Sequence, residues 1–185
     1  MANTHVIIVG DGPGGLSAAL LLAKNDANAS VYGQDNTAMH AAMLHNYLGI
    51  EGMTGSEFQA IARRQVAAFG ATLEDARVES VRVTDDGVEA ELADGTTVTG
   101  DYLVLSEGKS PRLATQLGLE HDADDGIAVD ANNRTSLDRV YAVGRLVRPG
   151  RSQAIISAGD GAAAAIDILS REAGENVMDW DTPGD

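Results

Sequence analysis

Three glycines, Gly10, Gly12 and Gly15, have the spacing G-x-G-x-x-G. In this spacing the first glycine permits a tight turn, the second lets the backbone approach a pyrophosphate, and the third lets a helix pack closely on a strand. The N–H groups that open such a helix attract phosphate oxygens. The chemistry that we expect of this stretch is therefore dinucleotide binding, and the alternative is a glycine-rich turn with a purely structural role.

The residues on either side of the glycines are those of a strand and a helix. An apolar run over 5–9 precedes them, and an Ala- and Leu-rich segment over 16–24 follows. The motif requires this context, because it belongs at the start of a βαβ unit.

A second parallel strand is predicted over 29–32. At its end, dinucleotide folds usually place an acidic side chain that holds the adenosine ribose. Gly33 has the expected position here, and Asp35 lies two residues later. We therefore expect the ribose contact from the Gly33 and Gln34 backbone or from a displaced Asp35.

The next helix has a clear start. Thr54, with Glu57 three residues later, predicts a capping box and a helix that ends at Phe69 before Gly70. The connection over 36–49, which precedes this helix, is predicted to be a long loop. A loop of this length is more often functional than idle.

Further along the chain, the apolar residues recur at every second position. Apolar and polar residues alternate over 78–83, 88–92 and 96–98, with Asp-Gly pairs between these runs, which predicts a three-stranded antiparallel meander within 78–100. Strands over 102–105 and 140–143, a short helix at 113–117 and a last helix from about 154 to 169 complete the pattern. We expect a single domain over 1–173 and a polar tail over 174–185.

The charge restricts the partners. The chain has 28 acidic and 13 basic residues, giving a net charge of −15, so nucleic acids and anionic membranes are poor partners. The acidic residues are spread over all segments, and only two residues, Lys24 and Lys109, are lysines. This is the surface that we expect of a halophilic protein, with an ordinary acidic cytosolic protein as the alternative.

The 185 residues include no cysteine. This excludes disulfides, thiolate metal sites and a dithiol redox centre within the sequence, and no spacing of His, Asp and Glu indicates another metal site. No basic segment precedes the first apolar run, which is too short to span a bilayer, so we expect a cytoplasmic protein.

Taken together, the segments resemble the FAD-binding domain of low-molecular-weight thioredoxin reductases, within the pyridine nucleotide-disulfide oxidoreductase superfamily. The resemblance covers nearly all of 6–169. It rests on landmarks in a fixed order, which are Gly10 to Gly15, Asn46 to Gly49, Thr54-Gly55, Gly108 to Arg112, Asp130 with Arg134 to Ser136, and Gln153-Ala154 leading to 158–162.

The resemblance implies an α/β fold of three layers, a Rossmann-like FAD/NAD(P)-binding domain whose parallel sheet has helices on one side and the meander on the other. It implies FAD as the cofactor and a homodimer as the assembly. The cofactor-binding positions that it implies are Gly10, Gly12, Pro13, Gly14, Gly15, Gly33, Gln34, Asp35, His40, Asn46, Val78, Glu107, Gly108, Gly144, Arg145, Gln153 and Ala154.

The sequence departs from this family in what it lacks. The family has an NADPH-binding domain with a Cys-x-x-Cys between the strand after the meander and the final FAD segment, whereas here Arg112 is followed within a few residues by Leu117. The chain alone is therefore not expected to be a thioredoxin reductase.

Three further departures lie at positions that face the cofactor. Asp11 brings a carboxylate to the phosphate turn, where it would repel a pyrophosphate unless its side chain points away. Glu107 stands in a segment that is usually Ala-Thr-Gly, and Arg145 replaces the aspartate of a Gly-Asp pair. Arg145 could donate hydrogen bonds to phosphate oxygens or form an ion pair with Glu107.

One residue is a candidate for catalysis. His40 lies in the connection that, in the family, runs beside the flavin ring, where a histidine could shuttle a proton. The alternative is a loop histidine with a local partner.

Three functions remain open. The leading hypothesis is a single-domain flavoprotein oxidoreductase that exchanges electrons with a small-molecule or protein donor and acceptor. The second is a non-catalytic nucleotide-binding module that has lost productive FAD chemistry. The third, direct NAD(P) binding at the glycine-rich turn, is disfavoured by the Gln153-Ala154 segment, which belongs to FAD enclosure.

Overall fold

The computed structural model describes residues 4–122 and 124–183. The strands are β1 (His5–Val9), β2 (Asn28–Tyr32), β3 (Met43–Leu44), β4 (Met53–Thr54), β5 (Thr72–Glu74), β6 (Val78–Val83), β7 (Val88–Leu92), β8 (Thr97–Gly100), β9 (Tyr102–Leu105), β10 (His121–Asp122), β11 (Gly126–Ile127) and β12 (Val140–Ala142). The helices are α1 (Pro13–Lys24), α2 (Gly55–Ala68), α3 (Arg112–Gln116) and α4 (Ala154–Ala173).

A parallel sheet in the order β12-β9-β1-β2-β5 forms the centre of the fold. Alternate residues of β1 point to opposite faces, as the pleat requires. Val6 and Ile8 pack with α1, α4 and Val66 of α2 on one face. Ile7 and Val9 pack on the other face against the β6-β7-β8 sheet and α3. The predicted three-layer α/β fold is therefore confirmed.

The helices α1 and α4 pack closely because glycines remove side chains from their contact. A Cβ on Gly161 of α4 would lie 2.0 Å from the carbonyl oxygen of Gly14 in α1. Within the glycine-rich turn, a Cβ on Gly15 would lie 1.9 Å from the carbonyl oxygen of Gly10. Neither distance can accommodate a carbon atom. Gly15 therefore has the packing role that the motif assigns to its third glycine.

The carboxyl ends of the parallel strands meet at one edge of the sheet. The N–H of Gly10 bonds to the carbonyl of Tyr32 at 2.9 Å, and the N–H of Ser106 bonds to that of Val9 at 2.8 Å. In open parallel sheets, ligands bind outside this edge. The fold thus brings the ends of β1, β2, β9 and β12 to one place.

The connection over 36–49 has more structure than the sequence predicted. It contains a 3-10 turn over Ala38–Ala41, and β3 pairs antiparallel with β4. The Thr54 capping box is present, with Thr54 accepting the N–H of Glu57 and Glu57 accepting that of Thr54. The ends of β6, β7 and β8 agree with the prediction to within two residues.

The last helix extends four residues beyond the predicted end, to Ala173, and Gly174 stops it in a left-handed conformation with a φ of 70°. The tail then folds back on the helices. Lys24 Nζ lies 2.6 Å from Asp179 Oδ1 and 2.8 Å from Asp181 Oδ1. The proposed division into a domain over 1–173 and a tail over 174–185 stays a prediction.

Within residues 4–122 and 124–183, none of the helices combines the length and the apolar character needed to cross a lipid bilayer.

Candidate functional site

A groove of about 720 Å³ lies at the carboxyl edge of the sheet. Its volume is within the range of known small-molecule sites. It is lined by the glycine-rich turn, the ends of β2 and β9, the connection over 36–46, and the residues around the start of α4. Most of the positions that the sequence assigned to cofactor binding therefore lie along one surface.

The glycine-rich turn presents bare backbone to this groove. Gly10 has a φ of +100°, and a Cβ there would lie 2.2 Å from the Ser106 carbonyl oxygen, so no other residue fits. Gly12 is the N-cap of α1, and within residues 4–122 and 124–183 no side chain caps the N–H groups of the first turn. These N–H groups and the positive end of the helix dipole are left to attract an anion.

Asp11 does not place its charge among these N–H groups. Its side chain is buried, and Oδ2 accepts the N–H of Asp35 at 2.9 Å and a bond from Arg63 Nη1. Gln59 Nε2 donates to the Asp11 carbonyl at 2.5 Å. The carboxylate is thus neutralised by Arg63 and held toward the end of β2, which removes the repulsion that the sequence suggested.

Arg145 is half-buried and lines the groove. It follows Gly144, whose φ is +69°. Among the described residues, no hydrogen bond or ion pair of its guanidinium is found, whereas the neighbouring Arg148 pairs with Asp160 at 3.1 Å. A half-buried cation without a protein partner can bind an anionic ligand.

Glu107 does not pair with Arg145. Its carboxylate accepts the N–H of Leu113 at 2.8 Å and that of Ala114 at 3.0 Å, so it caps α3. Burial raises the pKa of Glu107, although the two N–H bonds and the charge of Arg112 lower it in part. The ion pair that the sequence left open is therefore not formed, and the carboxylate is engaged with the helix.

The two sides of the groove are joined by one side-chain bond. Asn46 Nδ2 donates to Gln153 Oε1 at 2.7 Å, across 107 residues of sequence. Gln153 is the N-cap of α4 and, like Asn46 and Ala154, lines the groove. The connection after β2 is thus held next to the start of the last helix.

The sequence model of the family described as pyridine nucleotide-disulphide oxidoreductase matches residues 46–162, well over half of the chain. The chain belongs to this family. Its fold is that of thioredoxin reductases.

Curated relatives include the bifunctional thioredoxin reductase/thioredoxin of Mycobacterium leprae, 29% identical over 173 residues that cover 90% of this chain and 35% of that protein. A thioredoxin reductase of Gibberella zeae is 38% identical over 90 residues, or 47% of this chain and 26% of that protein. The chain thus spans only about a third of the length of the first of these relatives.

Solved structures share the fold. A thioredoxin reductase from Gloeobacter violaceus superposes with a TM-score of 0.84 at 18% identity, covering 97% of this chain and 98% of that chain. The atypical thioredoxin reductase TRi from Desulfovibrio vulgaris Hildenborough superposes with a TM-score of 0.80, also at 18% identity, covering 94% and 99%.

Of the other positions assigned to this family's cofactor site, Pro13, Gly14, Gln34, Val78 and Gly108 line the groove. Gly15 does not line it, because it packs beneath the turn. Gly33 lines it, but its N–H bonds to the Glu74 carbonyl at 3.1 Å. That N–H is therefore not free for the ribose contact that the sequence suggested.

His40 and Asp35 lie outside the lining of the groove. His40 Nδ1 is 2.9 Å from Ser56 Oγ, and Nε2 is 2.9 Å from the Asp35 carbonyl and 3.1 Å from Asp35 Oδ1. Both ring nitrogens are thus engaged, which supports the local role for His40 rather than the catalytic one. The N–H of Asp35 bonds to Asp11 and its Oδ1 lies near His40, so the structure does not favour Asp35 as the source of the ribose contact.

Arg63 and Gln59 were not singled out from the sequence. Their spacing of four places them on one face of α2, and that face meets the glycine-rich turn. Nothing in the sequence indicates this contact, because 52 residues separate Arg63 from its partner Asp11. Among the described residues, no group of three or more His, Cys, Asp or Glu side chains is arranged to hold a metal ion.

Proposed function

We propose that this chain binds FAD in the groove and acts as the flavin-binding part of an oxidoreductase. The observation that carries the proposal is that two positive groups without a partner among the described residues line the same groove. They are the uncapped start of α1 and the guanidinium of Arg145. The pyrophosphate of a dinucleotide complements both. The assignment of FAD rather than another dinucleotide rests on the family.

The residues present fit this cofactor. A Cβ on Gly14 would lie 3.2 Å from both the Ser106 hydroxyl and the Ser157 carbonyl, so a larger residue there would press the turn away from α4. The carboxylates of Asp11 and Glu107 are both bonded within the protein, so neither opposes the phosphates as an unpaired charge.

In this function the flavin supplies the electron-accepting chemistry, and the protein supplies binding and electrostatics. The N–H groups of the turn and Arg145 hold the pyrophosphate. Asn46 and Gln153, fixed to each other, would position the flavin end, and Val78 adds an apolar side chain to the groove lining. His40 is not assigned a proton-transfer step, since both its ring nitrogens are bonded elsewhere.

The electron donor and acceptor are proposed to be separate molecules, either small compounds or a protein carrier. The sequence contains no cysteine, so a dithiol acceptor must come from another chain or segment. A non-catalytic nucleotide-binding module is the second candidate. The engagement of His40 favours it, because the groove then lacks the one proton-transfer residue that the sequence offered.

The absorbance spectrum of the purified protein tests the proposal. We expect a yellow protein that releases FAD on denaturation, or a colourless one that takes up added FAD in multimolar KCl. FMN, which lacks the pyrophosphate and adenosine, serves as the control and should bind more weakly. A protein that takes up no FAD under these conditions contradicts FAD binding and leaves the module as the better description.

We also propose a cytoplasmic homodimer, with α4 or the connection over 39–47 at the interface. Met43, in that connection, has 53% of its surface exposed, and Leu48 just beyond it has 89%. Light scattering at micromolar concentration in high salt should give twice the mass of the chain. A monomer under these conditions contradicts the proposal.

A further inference from the structure

The end of β2 lacks the acidic side chain that usually accepts the ribose hydroxyls, because Gly33 stands there. The structure places another carboxylate at this point. A Cβ on Gly33 would lie 2.5 Å from Asp11 Cγ and 2.7 Å from Asp11 Oδ1. The carboxylate of Asp11 therefore occupies the space in which a side chain of residue 33 would begin.

The two oxygens of Asp11 have different surroundings. Oδ2 accepts bonds from Asp35 N–H and Arg63. Oδ1 has no donor among the described residues, and it is not one of the fully enclosed unpaired oxygens there, which are Gln59 Oε1 and Asn133 Oδ1. Asp11 also lines the groove. One oxygen anchors the side chain, and the other is left to accept a bond from a ligand.

We propose that Asp11 replaces the missing acid of β2 as the acceptor for the hydroxyls of the adenosine ribose. The acceptor has moved from the strand end to the glycine-rich turn, and Gly33 is required because the carboxylate fills its side-chain space. The inference rests on the proposed dinucleotide function and adds a residue that recognises the ribose. The ligand class is a dinucleotide whose adenosine ribose carries free hydroxyls.

The charge of the site agrees with this assignment. Arg63 balances Asp11, so the carboxylate keeps its acceptor strength without adding net negative charge near the pyrophosphate. A hydroxyl donates to Oδ1 and completes its bonding. A phosphate on the same ribose would instead place an anion against a carboxylate.

The test uses ADP, 2′-deoxy-ADP and 3′-deoxy-ADP as probes, with affinities measured by calorimetry at one high KCl concentration. The wild-type protein should bind ADP roughly tenfold more tightly than at least one deoxy analogue, the range for a hydrogen bond to a charged group. Asp11→Ser should lose this preference. Asp35→Asn is the matched control and should keep it, because Asp35 lies outside the groove lining.

The reciprocal exchange makes the test specific. Gly33→Glu alone should weaken ADP binding, since its Cβ overlaps Asp11. The double variant with Asp11→Gly, which also removes the Asp11 Cβ that would lie 2.8 Å from a Cβ on residue 33, has the acid on β2 and an open position on the turn, and it should regain the preference for ADP. A purely structural role of Asp11 predicts no such recovery. In the comparison of single variants, Asp11→Asn, which keeps the size and an acceptor for the Asp35 N–H, replaces Asp11→Ser if that variant does not fold.

Failure of this inference and failure of the proposed function give different results. If the wild-type protein binds neither FAD nor ADP, the proposed function fails. If it binds both but Asp11→Ser still distinguishes ADP from the deoxy analogues as the wild type does, Asp11 is not the ribose acceptor and the inference is overturned.

Discussion

The two ends of the central sheet contain the same kinds of charged side chain in opposite states of bonding. Toward the amino end, Asp167 accepts three bonds of 2.6 Å from Arg134 Nε, Arg134 Nη2 and Tyr141 OH. At the carboxyl end, the guanidinium of Arg145 has no such partner among the described residues. The difference distinguishes a cluster that holds the fold together from one that is open to a ligand.

The amino end of the sheet also shows that a pKa shift alone does not indicate a functional site. Burial, and next the bond to Glu172, raise the pKa of Tyr102 to about 12. Arg139 and Arg171 lie over its ring at 5.8 and 5.5 Å. The shift arises from packing and from a bonded carboxylate, and Tyr102 is not among the residues that line the groove. A perturbed pKa indicates a site only where the geometry leaves room for a ligand.

The largest effect, a loss of stability, is expected for Asp167 at the amino end of the sheet. Asp167→Ala leaves the Tyr141 hydroxyl buried without its acceptor and Arg134 without its carboxylate, which should lower the free energy of unfolding by about 3 kcal/mol. FAD affinity should not change, because the cluster is remote from the groove. Urea unfolding and FAD titration at matched KCl check this. Tyr141→Phe, which removes one donor only, should cost about 1 kcal/mol.

At the carboxyl end of the sheet, where Arg145 lies, we expect the reverse, which is a change in FAD affinity without a change in stability. Arg145→Ala should weaken FAD binding by about 2 kcal/mol, within the range for hydrogen bonds to charged groups, and leave the stability of the ligand-free protein unchanged. Glu107→Ala should not restore the lost affinity, because Glu107 caps α3. Equal FAD affinity of the wild type and Arg145→Ala would show that this arginine does not contact the phosphates. The comparison between the two ends would then lose its functional meaning.

The sequence predicts the elements better than the contacts between them. The strand and helix patterns depend on local periodicity, and the capping box at Thr54 was predicted because both partners lie within four residues. Most of the positions predicted for the cofactor also line the groove, since strand ends of a parallel sheet converge. The partners of Asp11, Glu107 and His40 were not, because each depends on side-chain directions after folding. Asp11 and Arg63, 52 residues apart, are the clearest case.

A third prediction concerns how the contribution of Asp167 to stability depends on pH. Burial raises the pKa of Asp167, but the bonds from Arg134 and Tyr141 outweigh this effect, so the pKa lies below the usual value for an aspartate. The unfolded chain therefore binds this proton at a higher pH than the folded one does. The stabilisation is present above the unfolded pKa and is lost as pH falls through the folded pKa. The stability gap between wild type and Asp167→Asn should be constant near neutral pH and should narrow below about pH 3.8. Urea unfolding across this range measures it, and a gap that widens in acid would contradict the bonding described.

The smallest expected effect is the change of melting temperature with salt. This change distinguishes the contribution of exposed charges from that of buried ones. With a net charge of −15, the folded surface repels itself, and at about 1 M salt the screening length falls to about 3 Å. Relief on the order of 1 kcal/mol would raise the melting temperature by about 2–4 °C for a chain of this size. Bonded buried pairs are screened much less, so the difference in melting temperature between wild type and Asp167→Ala should stay nearly constant as KCl rises. Thermal scans of both proteins at low and multimolar KCl distinguish the two contributions. A melting temperature that is flat or falls with salt would contradict a surface adapted to high salt, whereas a difference that closes with salt would mean that the Asp167 cluster is accessible to ions.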